Sequence, residues 1–292
     1  MDKRVAAIAY RLARSNADIC ARTMPLSGLL VHSLDQFSEV ARPIATATFG
    51  LAEEPRLAVV VPGSAAAKAG LREGDKILSI GGQPVPEATL AKKGTYARIR
   101  QIEERLLANM SAGPVPLEYM REGTRQNTLL EAEPGCLSRV QIVTSPKLNA
   151  RADGTYAQLT TGIVGFTRSD DELALVIAHE MAHNILSHKV RLKQQKVSRG
   201  LLKAFDGSMG KIKDTEEEAD YVALYLLARA GFDINAAPGF WQRYGPHGAL
   251  AIFASGTHPG RGARAQAATR TVDEIIAKQR QGLPLIPARV LD

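Results

Sequence analysis

His179-Glu180-Met181-Ala182-His183 sits in the middle of an apolar run that begins at Leu173. Ser169-Asp170-Asp171-Glu172 stands just ahead of that run. A cap residue followed by acids is how a helix starts, so the spacing predicts a helix running through His179 and His183. Two histidines four residues apart lie about 40° apart around a helix, so both imidazoles reach one metal ion. Glu180 stands beside them, within reach of a water on that ion. A third ligand is available about 35 residues on, in Glu216-Glu217-Glu218-Ala219-Asp220. Glu216 and Asp220 are one turn apart and share a helix face. One can bind metal while the other orients a ligating imidazole. The same acids also suit a first helical turn, where they complement the helix dipole. Next to the histidine pair, the ligand reading is preferred.

Working outward, Thr215 opens a helix that Gly231 ends, and Val140–Thr144 and Tyr156–Thr161 read as strands. Residues 1–17 read as an amphipathic helix, and a further helix is expected over Thr271–Arg280. His188 falls five residues after His183, about 140° round a continued helix, and is expected at the surface or in a cap. Residues 23–48 give no clear pattern.

Between them the texture changes. Leu57–Val61 is a short apolar run ended by Pro62-Gly63, and Ser64 can cap a one-turn helix that stops at Gly70. Lys76–Ile80 alternates as a strand, and Gly81-Gly82 signals a hairpin. A helix is expected over Tyr96–Met110. Val115–Met120 and Thr128–Ala132 are expected to pair around Arg121-Glu122-Gly123.

Composition narrows the class. The chain has 292 residues, 45% hydrophobic and 23% charged, with a net charge of +7. That is globular composition, long enough for about two domains. No stretch approaches the roughly 18 apolar residues of a membrane span. The N-terminal apolar patch is too short for a signal peptide. The expectation is a cytoplasmic chain if complete as given, or a mature exported form. Eight basic residues fall between Lys189 and Lys213, with Asp206 as the one acid. Phe205 is the one aromatic there, which suits a solvated loop better than a nucleic-acid surface. Cys20 and Cys136 are two thiols in one compartment or a disulfide in another; spacing does not choose.

Gly63–Gly82 closely resembles the core of bacterial PDZ domains, over about 85 residues in all. The resemblance implies a groove near Phe49-Gly50-Leu51 for an extended peptide, bound by its C-terminal carboxylate. The metzincin pattern HExxHxxGxxH is absent, because Leu186 and Lys189 occupy its glycine and third histidine positions. Four other motifs resemble the M48 family of zinc metallopeptidases, which are gluzincins. Asn149-Ala150 precedes the strand leading to Thr160-Thr161-Gly162. Asp171-Glu172-Leu173-Ala174 leads into the histidine motif. Glu216–Asp220 matches ExxxD. Thr257-His258-Pro259, with Arg264 beyond, matches a late Ser/Thr-His-Pro element.

The implied fold class is α+β: a mainly helical gluzincin-type metalloprotease domain with a small sheet, plus a small β-rich PDZ-like domain. The implied boundaries are 1–48 for the N-terminal helical part of the peptidase, 49–134 for the PDZ-like domain and 135–292 for the metallopeptidase domain. Cys20 and Cys136 would flank that insertion, which favours their pairing as a disulfide. His179, His183 and Glu216 would hold one Zn2+ per chain. Glu180 would be the general base, and Asp220 would hydrogen-bond a ligating imidazole, His179 for preference. His258, Arg264, Tyr221 and His247 are the oxyanion-donor candidates, with His258 and Arg264 preferred. His258 could alternatively fill the open zinc position and keep the enzyme latent. Tyr156, Ala157, Gln158, Leu159 and Thr160 would form the edge strand that holds substrate. Expected partners are protein or peptide substrates, misfolded or unfolded proteins of the bacterial envelope or periplasm, with the PDZ-like part recruiting or gating them. Nucleic acid is not expected. The alternative is a PDZ-type adaptor with a latent zinc site.

Overall fold

The computed structural model describes residues 1–197, 208–244 and 260–288. The chain divides into two compact units. The first holds residues 3–23 and 136 onward, and the second holds residues 24–135.

The first unit begins with α1 (Asp2–Ser15), which buries Val5, Ile8 and Leu12. Asn16 follows and is fully buried. Its amide donates to Leu12 O at 2.8 Å and Leu226 O at 3.1 Å, and its Oδ1 accepts from Arg229 Nε at 3.0 Å. That triple use of one side chain anchors the N-terminal helix. Cys20 is disulfide-bonded to Cys136, 116 residues on, with Cα atoms 5.5 Å apart.

The chain leaves by β1 (Thr23–Leu26) and returns by β8 (Glu133–Cys136), and these two strands pair. Gly135 lets the strands approach closely there, since a Cβ would fall 2.3 Å from the Leu26 side chain, which would have to shift. Between them lie β2 (Leu29–His32), α2 (Arg42–Phe49), β3 (Arg56–Val60), α3 (Ala65–Lys68), β4 (Lys76–Ile80), β5 (Gln83–Pro84), α4 (Ala97–Ala112), β6 (Val115–Arg121) and β7 (Thr124–Leu130). The sheet runs in the order β2-β3-β4-β6-β7, with β5 on β4. Ser64 caps α3 by accepting from Ala67 N. Gly81 and Gly82, at φ 61° and 75°, make the β4–β5 hairpin turn. Leu57, Ile77, Ile80, Ile102, Leu106 and Leu117 form one buried cluster. Asp75 is buried beneath it and is satisfied by Arg72 N at 2.7 Å and by Arg121. The expected boundary at residue 48 is corrected to residue 23. Residues 24–48 supply β2, which pairs with β3 and packs Leu29 and Val31 on the same cluster.

The first unit resumes with β9 (Arg139–Val143), β10 (Ala150–Ala152), β11 (Tyr156–Thr160), α5 (Thr161–Phe166), α6 (Asp170–Ile185), α7 (His188–Gln194), α8 (Ser208–Arg229), α9 (Ala236–Tyr244) and α10 (Arg261–Arg280). Helix α6 is buried nearly all round, from Leu173 to Ala182, and packs on α8. A helix apolar on every side belongs at the centre of a layer of helices. The three strands run β10-β11-β9, with β11 antiparallel to β10 and parallel to β9. The edge-strand expectation for Tyr156–Thr160 is therefore corrected. Both sides of β11 are already paired, so it has no free backbone edge, and β10 and β9 are the outer strands.

Candidate metal centre and active site

Helix α6 begins where Ser169 Oγ accepts from Glu172 N at 3.2 Å, with Asp170, Asp171 and Glu172 in its first turn. That start sets the phase that brings His179 and His183 to one side. Their Nε2 atoms lie 3.2 Å apart. Glu216, on α8, completes the set, with Oε2 3.3 Å from His179 Nε2 and Oε1 3.5 Å from His183 Nε2. Donors about 2.0–2.1 Å from a tetrahedral ion are about 3.3–3.4 Å from each other. The three spacings fit that value. Two neutral imidazole nitrogens at 3.2 Å would also set lone pair against lone pair unless a proton or cation lies between them. Two imidazoles and a carboxylate are a donor set of zinc-enzyme type.

Each histidine is held from behind. His179 Nδ1 lies 3.0 Å from Asp220 Oδ1. Arg264 grips the same carboxylate with two donors, Nε to Oδ2 at 2.7 Å and Nη2 to Oδ1 at 2.5 Å. Its guanidinium stacks on Trp241, with Cζ 3.4 Å from the ring centroid. Burial alone would push the Asp220 carboxyl up. Arg264 and His179 outweigh it and hold it at about 2. Burial likewise disfavours a charged His179, but Asp220 and Glu216 raise its pKa to about 10 without metal. Arg264 thus reaches the site through Asp220, with the paired donors of its fork turned to that carboxylate.

His183 is supported differently. Its Nδ1 lies 2.8 Å from His188 Nδ1, and His188 Nε2 lies 3.0 Å from Glu218 Oε2. Arg191 Nη1 donates to the same Glu218 oxygen at 2.8 Å. The surface expectation for His188 is overturned: it is 2% exposed. The reason is Ser187, in the left-handed region at φ 53°. It ends α6 and restarts the chain as α7, so the 140° offset of a continued helix does not apply.

Glu180 is buried, and burial pushes its carboxyl up against the lowering effect of the two histidines. It lines a cavity of about 640 Å³ together with the three donor residues. Asn149–Gly154, which includes β10, forms one wall, and Trp241, Tyr244 and Arg264 form another. Asn184 fixes the first wall to α6: its Oδ1 accepts from Gly154 N at 2.8 Å, and its Nδ2 donates to Ser138 Oγ at 2.9 Å.

Of the residues expected in β11, Gln158 reaches the cavity lining. Tyr221 is not part of that lining and donates to Glu274 at 2.9 Å. Tyr244 is the tyrosine on the cavity. Burial raises its pKa to about 12, and its hydroxyl donates weakly to Leu148 O at 3.3 Å. The Phe240-Trp241-Arg243-Tyr244 cluster on α9 was the available signal for it. His247, Thr257, His258 and Pro259 lie outside the described residues, as do Arg199, Lys203 and Phe205 of the basic stretch. Four other residues of that stretch are engaged: Arg191 with Glu218, Lys189 Nζ with Asp153 O at 2.7 Å, Lys211 Nζ with Gln195 O at 3.5 Å and Lys213 with Glu217 at 3.6 Å. No helix among the described residues is long and apolar enough to cross a membrane.

Comparison with known proteins agrees with this geometry. Residues 127–205 match peptidase family M48, and residues 56–101 match the PDZ domain. The mitochondrial metalloendopeptidase OMA1 of Schizosaccharomyces pombe is 30% identical over 149 residues, 41% of this chain and 42% of that protein. OMA1 of Arabidopsis thaliana is 30% identical over 139 residues, 41% of this chain and 28% of that one. A putative beta-barrel assembly-enhancing protease of Vibrio cholerae is 28% identical over 118 residues, 31% of this chain and 24% of that protein. The chain thus spans less than half the length of these curated relatives. The solved HtrA3 PDZ domain, bound to a phage-derived ligand, is similar at 16% identity and a TM-score of 0.29, covering 39% of this chain and 89% of that one.

Proposed function

We propose that this chain, which carries an M48 peptidase segment and a PDZ segment, is a zinc-dependent endopeptidase acting on unfolded or misfolded proteins of a bacterial envelope. The observation that carries this reading is the donor triangle of His179, His183 and Glu216 at tetrahedral spacing, with Glu180 buried beside it on an open cavity. Bound there, zinc supplies a Lewis acid that polarises a peptide carbonyl and acidifies a water. Glu180 takes the proton of the attacking water and returns it to the leaving amine. A carboxyl raised by burial suits both steps, since it accepts and releases a proton nearer neutral pH. Asp220 and Arg264 hold the His179 ring. Tyr244, weakly bonded at Leu148, is available to donate to the carbonyl oxygen as charge builds on it.

Among the described residues, the outer strand β10 offers substrate an unpaired backbone edge on the cavity wall, so an extended chain would add to it as a strand. The PDZ-like unit would recruit or gate substrate by binding peptide near Phe49-Gly50-Leu51. Envelope location is supported by the beta-barrel assembly-enhancing relatives and by the Cys20–Cys136 disulfide, which persists in an oxidising compartment.

The test is cleavage of an unfolded protein such as reduced casein, with metal content measured alongside. The parent should carry about one zinc per chain. Glu180→Gln should keep that zinc and lose about 10²–10⁴-fold in turnover, the contribution of a positioned general base. Equal turnover in parent and variant would remove the enzyme reading and leave a peptide-binding adaptor.

A further inference from the structure

The contacts behind His183 form a chain of their own. It runs from His183 on α6 to His188 on α7, then to Glu218 on α8, with Arg191 on the same Glu218 oxygen. The distances are 2.8, 3.0 and 2.8 Å, all within hydrogen-bond range. None of these three supporting residues belongs to the donor triangle.

With both histidines neutral, one proton arrangement satisfies every contact. Glu218 is a carboxylate held by Arg191, so it accepts. His188 Nε2 must therefore carry a proton and donate to it. A neutral His188 then has a lone pair on Nδ1. That lone pair accepts from His183, so the His183 proton sits on Nδ1. His183 Nε2 is left bare, facing His179 Nε2 and Glu216. The opposite tautomer of His183 would put a proton where a metal must bind and set two lone pairs together at 2.8 Å. The tautomer needed for ligation is thus the one that the chain of contacts selects.

We propose that His188 is a positioning residue for metal binding, which, braced by Glu218 and Arg191, fixes the tautomer and ring plane of the ligand His183. This rests on the metal-centre reading given above. It also gives α8 three distinct tasks within one stretch: Glu216 faces the metal position, Asp220 holds His179, and Glu218 holds His188. The left-handed Ser187 is what permits it, since it turns the chain so that the first residue of α7 meets the end of α6.

The test uses the full chain and zinc itself, titrated against a chromophoric chelator. His188→Phe keeps an aromatic ring but accepts no proton. It should weaken zinc binding by roughly 10–100-fold, as losses behind metal-bound histidines do. His188→Gln can still accept and donate, and should stay within a few-fold of the parent. Cobalt(II) substitution supplies a readout that a packing role would not move: the visible bands of the Phe variant should shift in position, and those of the Gln variant should not. Should His188→Phe fail to fold, Glu218→Val, which removes the brace one step back, should weaken zinc in the same direction. If the parent binds zinc and every variant matches it, the positioning role is overturned and the metal centre stands. If the parent binds no zinc after repletion, the metal centre falls and this inference falls with it.

Discussion

In the PDZ-like unit, most of what leaves the water is hydrocarbon. Leu57, Ile77, Ile80, Ile102, Leu106 and Leu117 pack on one another. Among its buried charges, Asp75 takes Arg72 N and two donors of Arg121, and Arg98 donates to Pro86 O, Glu53 O and Ser33 Oγ. In the unit that holds the donor triangle, the central helix α6 buries His179, Glu180 and Asn184 among its leucines. It meets Glu216, Asp220 and Arg264, also buried. The two interiors answer to different rules. Apolar packing is non-directional and tolerates change of shape, as long as volume is kept. A buried polar network tolerates little, because each member left without its partner bears the full cost of desolvation. The second kind of interior is the one that aims nitrogen and oxygen atoms at a point.

Three changes would break or sharpen that contrast. The largest effect is expected at Arg264→Met, which leaves the Asp220 carboxylate buried without its guanidinium. Breaking one side of a buried pair costs about 3–5 kcal/mol. Urea denaturation should show it, and adding Asp220→Asn should recover part of the loss in a double-mutant cycle. Simple additivity would mean the pair is no network. Next comes the double variant Cys20→Ser/Cys136→Ser. It removes a crosslink spanning 116 residues, and a loss of about 2–5 kcal/mol is expected in the melting of the oxidised parent against the variant. No difference between them would mean that the disulfide constrains nothing the fold does not already hold. The smallest is Ile102→Val in the PDZ-like core, at about 0.5–1.5 kcal/mol with zinc affinity unchanged. A loss as large as that of Arg264→Met would erase the distinction between the two interiors.

Legibility followed the same line. Local signals fixed α6, because a cap, three acids and an apolar run lie within one stretch of chain. They also fixed β4 and its Gly81-Gly82 turn, and spacing named the histidine pair, while Glu216 as the third donor came from the M48 resemblance. Three readings failed, each for a reason outside the local window. His188 was misplaced because a single left-handed residue, Ser187, cancels the helical phase on which the offset was calculated. The sequence points to β11 as an edge, and the structure pairs it on both sides, because strand order depends on partners distant in sequence. Residues 24–48 went to the wrong unit because β2 is recognisable only by the strand it pairs with.

The sequence by itself determined the chemistry: which residue types stand at helical spacing, and so which nitrogens and oxygens can converge on a metal. Asp220 behind His179 was already an expectation of the sequence and its family resemblance. Tertiary structure alone decided the rest: Arg264 behind Asp220, and His188 with Glu218 and Arg191 behind His183, are contacts between helices whose angular and axial offsets no spacing encodes. The histidine pair is a property of one helix turn, and Glu216 joins it from a second helix. Ligand orientation is a property of how four helices, α6, α7, α8 and α10, pack.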